Sequence, residues 1–315
     1  MTFVHQACVY QSAAEFLAAI VPFTLDGLAR DEQVLAVTTP RNIDLLAEAL
    51  ATDATRVEFV DAGDWYRHPI TTLAKFDRYV REYGAVRVIG EPVWSGLSTR
   101  DMVEWKRYEA ALNVAFAPTS AWIVCPYDAR VLAPEIVADA LRTHPTYVDS
   151  GGIRRNVHYV EPAAFFSDCD AAALPDPPEH AAVLPFTGDL HSARRFVSTY
   201  ASAWALSPLR SGLLVAAVNE VATYLLESGR ERATIRIWRD GGEVRCDLHD
   251  AGGTIRDPFL GLRPPAAGKD TDGMWLVRRV CDLVLIRSDQ RGATIRIHVT
   301  IDGAGPGARG SLLDL

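Results

Sequence analysis

The first half of the chain alternates short apolar runs with amphipathic stretches, and that alternation leaves few folds open to it. Residues 7–10, 33–38, 57–60, 86–90 and 121–125 read as strands. Between and after them, 13–29, 43–50, 73–83, 101–116 and 134–142 place apolar residues at helical spacing. Strands that are apolar on both faces must be covered on both, and a helical crossover between neighbours makes them parallel. The prediction is a parallel α/β sheet with helices on each side. Pro22 inside the first helix is expected to bend it.

The second half follows a different order. Helices are predicted over 189–205 and 207–228, then strands over 234–238 and 244–249 around a Gly241-Gly242 hairpin turn. A Gly/Pro-rich loop spans 251–271, followed by a helix over 273–282 and strands over 283–288 and 293–299. Helices gathered on one face of an antiparallel sheet make an α+β sandwich. Between the halves, 161–186 is rich in Pro, Ala and Asp and has no period, so it reads as a linker. A length of 315 residues suits this division: a domain over 3–160, a linker, a domain over 187–300 and a flexible tail over 301–315.

Charge and cysteine usage narrow the function classes. The formal net charge is -8, which disfavours gripping nucleic-acid phosphates, and no helix-turn-helix signal or basic stripe is evident. Five cysteines without a C-x-x-C pair argue against a disulfide scaffold or zinc finger and for a reducing, cytoplasmic setting. The N-terminus lacks the basic-then-apolar pattern of a signal peptide, and charges break the apolar runs before they reach membrane-spanning length, so no membrane association is expected.

The second half carries the sharper motifs. Glu220 and Tyr224, four apart in LLVAAVNEVATYLLESG, project from one side of a helix. Asp250 ends a strand in LHDAGG with Gly252 two positions on, and Gly273-Met274 open the next helix after K-D-T-D. This order resembles the GHKL (Bergerat) ATPase fold as used by RsbW-like anti-sigma-factor serine kinases. The resemblance implies roles: Glu220 as general base on a protein serine, Asp250 on the adenine amino group, Gly252 passing close to the base, Gly273 and Met274 in the phosphate lid, and ATP or ADP with magnesium as cofactor. Tyr224 stands where the family has its magnesium-binding Asn, and a phenol is a poor magnesium ligand. Asp270 and Asp272 fall where phosphates would sit, and Asp272 can cap the following helix with the amides that would otherwise bind them. Asp250 is equally readable as a turn-forming Asp, and Trp275, Leu276, Val280 and Cys281 read as core.

In the first half, the turn after the first strand is Gln11-Ser12-Ala13-Ala14-Glu15, without the Gly and Lys of a P-loop. The segment resembles the MEDS sensory domain, a RecA-like relative, through His5-x-x-Cys8-x-Tyr10, Gly90-Glu91, Tyr108-Glu109 with Asn113, Cys125-Pro126-Tyr127-Asp128, His144-Pro145, and Asn156 with Tyr159. The resemblance implies a RecA-like parallel sheet without a P-loop and a role in sensing a small-molecule signal. Ligands of parallel sheets bind beyond the strand C-termini, so Glu91, Tyr127 and Asp128 lead a candidate pocket that also includes His5, Cys8, Glu109, Asn113 and Cys125. Cys8 and Cys125 read equally as small buried hydrophobes, and Glu109 and Asn113 as partners of each other. His5, Cys8, Cys125 and His144 could meet at a metal, yet they lack paired ligand spacing, so no metal site is predicted.

Together these features predict a bacterial signalling regulator. A sensory domain would control a partner-switching module whose degenerate nucleotide site binds a sigma factor or an anti-sigma antagonist. The alternative is an active serine kinase. Kinases of this family often dimerise through the fold, so a homodimer is within expectation.

Overall fold

The structure, a computed structural model, describes residues 2–149, 152–266 and 272–301. It divides into two compact units, 1–169 and 170–315.

In the first unit, β1 (Val4–Tyr10), β2 (Gln33–Thr38), β3 (Val57–Asp61), β4 (Val86–Gly90), β5 (Trp122–Asp128), β6 (Thr146–Asp149) and β7 (Gly152–Arg155) form one seven-stranded sheet in the order β3-β2-β4-β5-β1-β6-β7. All neighbours are parallel except β6 and β7. The connecting helices are α1 (Ala13–Ala29), α2 (Pro40–Leu50), α3 (Ala62–Trp65), α4 (Pro69–Tyr83), α5 (Thr99–Ala115) and α6 (Pro134–Thr143), and α7 (Pro162–Cys169) packs on α5 and α6. The α1 helix runs unbroken through Pro22. Cys8, Phe16, Ile20, Val34, Leu46 and Val124 share one core, where α1 and α2 cover the sheet.

Charged side chains are built into this interior as well. Arg87 on β4 is 1% exposed and pairs through Nε with Glu32 at 2.5 Å and through Nη2 with Asp26 at 2.6 Å. Its guanidinium lies 4.1 Å from the Trp122 ring centroid. A Cβ on Gly27 would stand 2.6 Å from the Arg87 Cγ, so the helix passes this point only as glycine.

The second unit has five strands: β8 (Ala182–Phe186), β9 (Ala233–Asp240), β10 (Glu243–Asp250), β11 (Leu283–Asp289) and β12 (Gly292–Thr300). They pair antiparallel in the order β11-β12-β10-β9-β8. Helices α8 (Leu190–Ala203), α9 (Pro208–Glu227) and α10 (Gly273–Val280) bury one stripe each against the sheet, with Val197, Leu214, Val218, Val221, Leu225 and Val277 in a common core with Ile235, Leu248 and Ile295. By length and composition α9 is apolar enough to cross a membrane, but here its apolar stripe is the core face of the sandwich.

The stretch 161–186 does not stay a linker. Its start is α7, its end is edge strand β8, and the unit boundary falls after Cys169. The intervening residues are held by arginines of the C-terminal strands. Arg287 pairs with Asp170, Arg291 with Asp176, and Arg296 donates to the Pro175 carbonyl at 2.8 Å. Composition missed this because the ordering comes from partners far along the chain. Of the proposed tail, 302–315 lies outside the described residues; Ile301 is buried.

Candidate functional sites

In the first unit the predicted pocket residues separate into three groups. Glu91 and Asp128 lie beyond the C-terminal ends of β4 and β5, where they line a cavity of about 230 Å³ with Thr39, Trp94, Leu132 and Ile136. Glu91 is part of its lining. The carboxylate accepts from Tyr10 Oη at 3.2 Å, Asn42 Nδ2 at 2.9 Å, the Thr39 amide at 3.2 Å and the Thr38 hydroxyl, so it ties three strand ends together.

The turn after β1 is closed by its own side chains. Ser12 Oγ accepts from the Glu15 amide at 3.1 Å, and the Glu15 carboxylate accepts from the Gln11 amide at 2.7 Å. An anion already occupies the helix start where a P-loop would cradle phosphate.

The second group converges at one buried point. His5 on β1, Glu109 on α5, Cys125 on β5 and His144 after α6 are all buried, with their ligand atoms within 4.8 Å of one another. His5 Nε2 lies 3.5 Å from Cys125 Sγ and 3.6 Å from Glu109 Oε2, and His144 Nε2 lies 3.5 Å from the same Oε2. Burial pulls both imidazoles down to about 3 and pushes the Glu109 carboxyl up to about 7. Asn113, one turn after Glu109, does not bond it; its Oδ1 meets His5 Nδ1 at 3.2 Å. Tyr127, fully buried, stacks edge-on to the His144 ring, and its hydroxyl lies beside the Glu109 carboxyl.

Cys8 makes the third case. Successive side chains of a strand point to opposite faces. His5 and Cys8 are an odd number of residues apart, so Cys8 faces the core under α1 with Phe16 and Ile20. It therefore leaves the group in which the sequence placed it. Residue type puts His5, Cys125 and His144 together, with Cys8 where the structure has Glu109; spacing cannot decide between them, because the members come from four separate elements. Glu109 and Asn113 at i, i+4 were the one local trace.

One family model matches this segment of the chain. Residues 4–145 match MEDS, the methanogen/methylotroph DcmR sensory domain. The match ends just before β6, so the MEDS segment holds the strand-end cavity and the whole four-residue cluster. A MEDS domain implies a signalling role for the chain. No curated protein matches it.

The C-terminal unit presents an open cleft of about 900 Å³, lined by Tyr224, Arg230, Asp250, Gly252 and Asp257 among others. Glu220 sits one turn before Tyr224 on α9. A Cβ on Gly273 would stand 2.5 Å from Glu220 Oε2, so glycine lets α10 begin against this carboxylate. Glu220 Oε1 accepts from Asn219 Nδ2 at 3.2 Å, and Asn219 Oδ1 accepts from Arg194 Nη1 at 2.7 Å. Sequence reasoning passed over Asn219 and Arg194.

Asp250 is already engaged. Its Oδ1 accepts from the Gly252 amide at 3.0 Å, closing a turn, and its Oδ2 faces Arg230 Nε at 3.4 Å. Asp272 caps α10, with Oδ1 accepting from the amides of Met274 at 3.0 Å and Trp275 at 3.3 Å. Met274, predicted to touch a nucleotide, is 2% exposed and packs in the core; the first turn of α10 points its side chain inward. Asp270 lies outside the described residues.

Proposed function

We propose that the chain is a signalling regulator in which the MEDS unit senses a small molecule and controls a GHKL-type, anti-sigma partner-binding unit that no longer uses nucleotide. The sensed molecule would occupy the cavity between Glu91, Trp94 and Asp128. The observation that carries the second half is the cap of α10. The amides that would receive a phosphate already bond the Asp272 carboxylate, and a negative charge there opposes a second anion. Two further features agree with it. Tyr224 presents a phenol where a magnesium ligand is needed, and Arg230 occupies the carboxylate that would read adenine.

Isothermal titration of the full chain with Mg-ATP and Mg-ADP tests this reading. The expected result is no binding in the micromolar range, and micromolar affinity for either would overturn it. The regulatory half predicts a direct complex with a sigma factor or an anti-sigma antagonist of the host cell. Its stability would depend on the small molecule.

A second reading keeps kinase activity, with Glu220 as general base. The Arg194–Asn219–Glu220 chain favours it, since it holds the carboxylate in one orientation. It requires phosphate transfer from radiolabelled ATP to an antagonist protein, abolished in Glu220→Ala.

A further inference from the structure

The cluster of His5, Glu109, Cys125 and His144 is unusual for what its atoms have in common. Asn113 Nδ2 donates to the Thr143 carbonyl at 2.8 Å, so its Oδ1 is the atom facing His5. An amide oxygen only accepts, which puts the His5 proton on Nδ1 and leaves Nε2 as a bare lone pair. His144 repeats the arrangement: Nδ1 lies 2.7 Å from the Ala140 carbonyl oxygen, so its Nε2 is bare as well. Both nitrogens lie beside the Glu109 carboxyl, at 3.6 and 3.5 Å, and that of His5 is also 3.5 Å from the Cys125 sulfur. His144 Nε2 is buried with no hydrogen-bond partner, and the buried Glu109 carboxyl has only the Cys125 thiol and the Tyr127 hydroxyl beside it as donors. Acceptors packed this closely away from water are costly unless something positive lies between them.

We propose that these four side chains are the ligands of one divalent transition-metal ion, zinc being the best match. Two imidazole nitrogens, a thiolate and a carboxylate are a zinc-type donor set. In a tetrahedral site with metal–ligand bonds of about 2.0–2.3 Å, neighbouring ligand atoms lie about 3.3–3.6 Å apart. Three of the six edges here, 3.5, 3.5 and 3.6 Å, fall in that range, and all six are within 4.8 Å. The charges also cancel: a divalent ion with one thiolate and one carboxylate is neutral, which a fully buried site requires. Binding displaces the thiol proton, and any proton held by the carboxyl, to solvent. The Asn113 amide and the Ala140 carbonyl are the outer partners that fix each imidazole, as in established metal sites. The ion would tie β1, β5, α5 and the end of α6 at one point, and Tyr127 lies against both this point and Trp94 of the strand-end cavity. The proposal stands whether or not the C-terminal unit binds nucleotide.

The test uses the full chain, stripped with chelator and reloaded with zinc or cobalt. Elemental analysis is expected to find one ion per chain, and the cobalt form to show thiolate-to-metal charge-transfer absorption. Cys125→Ser should abolish that absorption, and Glu109→Gln, which removes the charge at nearly constant shape, should release the ion. Cys169→Ser, outside the cluster, should change neither. Asn113→Ala should keep the single site with about 10–100-fold weaker affinity. The proposal is overturned if the folded wild-type chain takes up no ion and its thermal midpoint is indifferent to zinc and chelator. It is also overturned if Cys125→Ser and Glu109→Gln both retain the ion at wild-type affinity. The wild-type measurements decide even where a variant fails to fold.

Discussion

At the scale of single residues, the interior charge of the first unit is the most exposed to mutation. Arg87 neutralises Glu32, whose side chain is 7% exposed, and fills the space that Gly27 leaves. Arg87→Ala strands a buried carboxylate and opens a cavity, so a loss of about 3–5 kcal/mol is expected in urea unfolding. Gly27→Ala should destabilise through a clash that Arg87 can relieve only by giving up its position. In the second unit, the proposed loss of nucleotide binding rests on Asp272 and Tyr224. Glycine at an N-cap costs only about a few tenths of a kcal/mol. The double variant Tyr224→Asn, Asp272→Gly is therefore expected to stay folded and to gain measurable Mg-ADP affinity by calorimetry. No gain would show that Arg230 and Asp250 alone are enough to exclude the base.

At the scale of elements, the second sheet needs cover on both faces and finds it from unlike sources. The helices α8, α9 and α10 cover one face with apolar side chains. On the other, Asp247 of β10 and Arg296 of β12 stand directly opposite in register and form a two-pronged pair at 2.7 and 2.8 Å, each 3% exposed. Arg296 also lies over the Trp238 ring, 4.9 Å from its centroid, and holds the chain at Pro175. The geometry separates two substitutions sharply. Arg296→Ala leaves Asp247 buried and alone and should cost about 3–5 kcal/mol, whereas Asp247→Leu with Arg296→Met should be neutral or stabilising by about 1–4 kcal/mol. Thermal or urea midpoints of the two variants check this. Sequence alternation anticipated strands 234–238, 244–249 and 293–299, but alternation does not say what meets their polar side. In the structure the segment 170–181 reaches that side of the sheet through Asp170 on Arg287 and the Pro175 carbonyl on Arg296.

At the scale of the whole molecule, each unit has its own sheet and its own core. Destabilisation by Arg87→Ala is accordingly expected to raise amide hydrogen exchange in β2, β4 and β5 while leaving β9, β10 and β12 at wild-type rates. The two helix starts that could have held phosphate, at Ser12 and at Asp272, are both filled by the chain's own acids. That feature was legible from residue identities, because a cap forms within three or four residues. So were the succession of elements and the pairing of Glu220 with Tyr224, which depend on periods of two and 3.6 residues. Local spacing carries no information about which distant strands become neighbours. For that reason the separation of Cys8 from His5, the engagement of Asp250 by Arg230 and the ordering of 170–181 came only from the tertiary structure. The same holds for the meeting of His5, Glu109, Cys125 and His144. The sequence by itself settled which residues could do chemistry; the strand order β5-β1-β6, which sets β1 between its two parallel neighbours, decided which of them stand together.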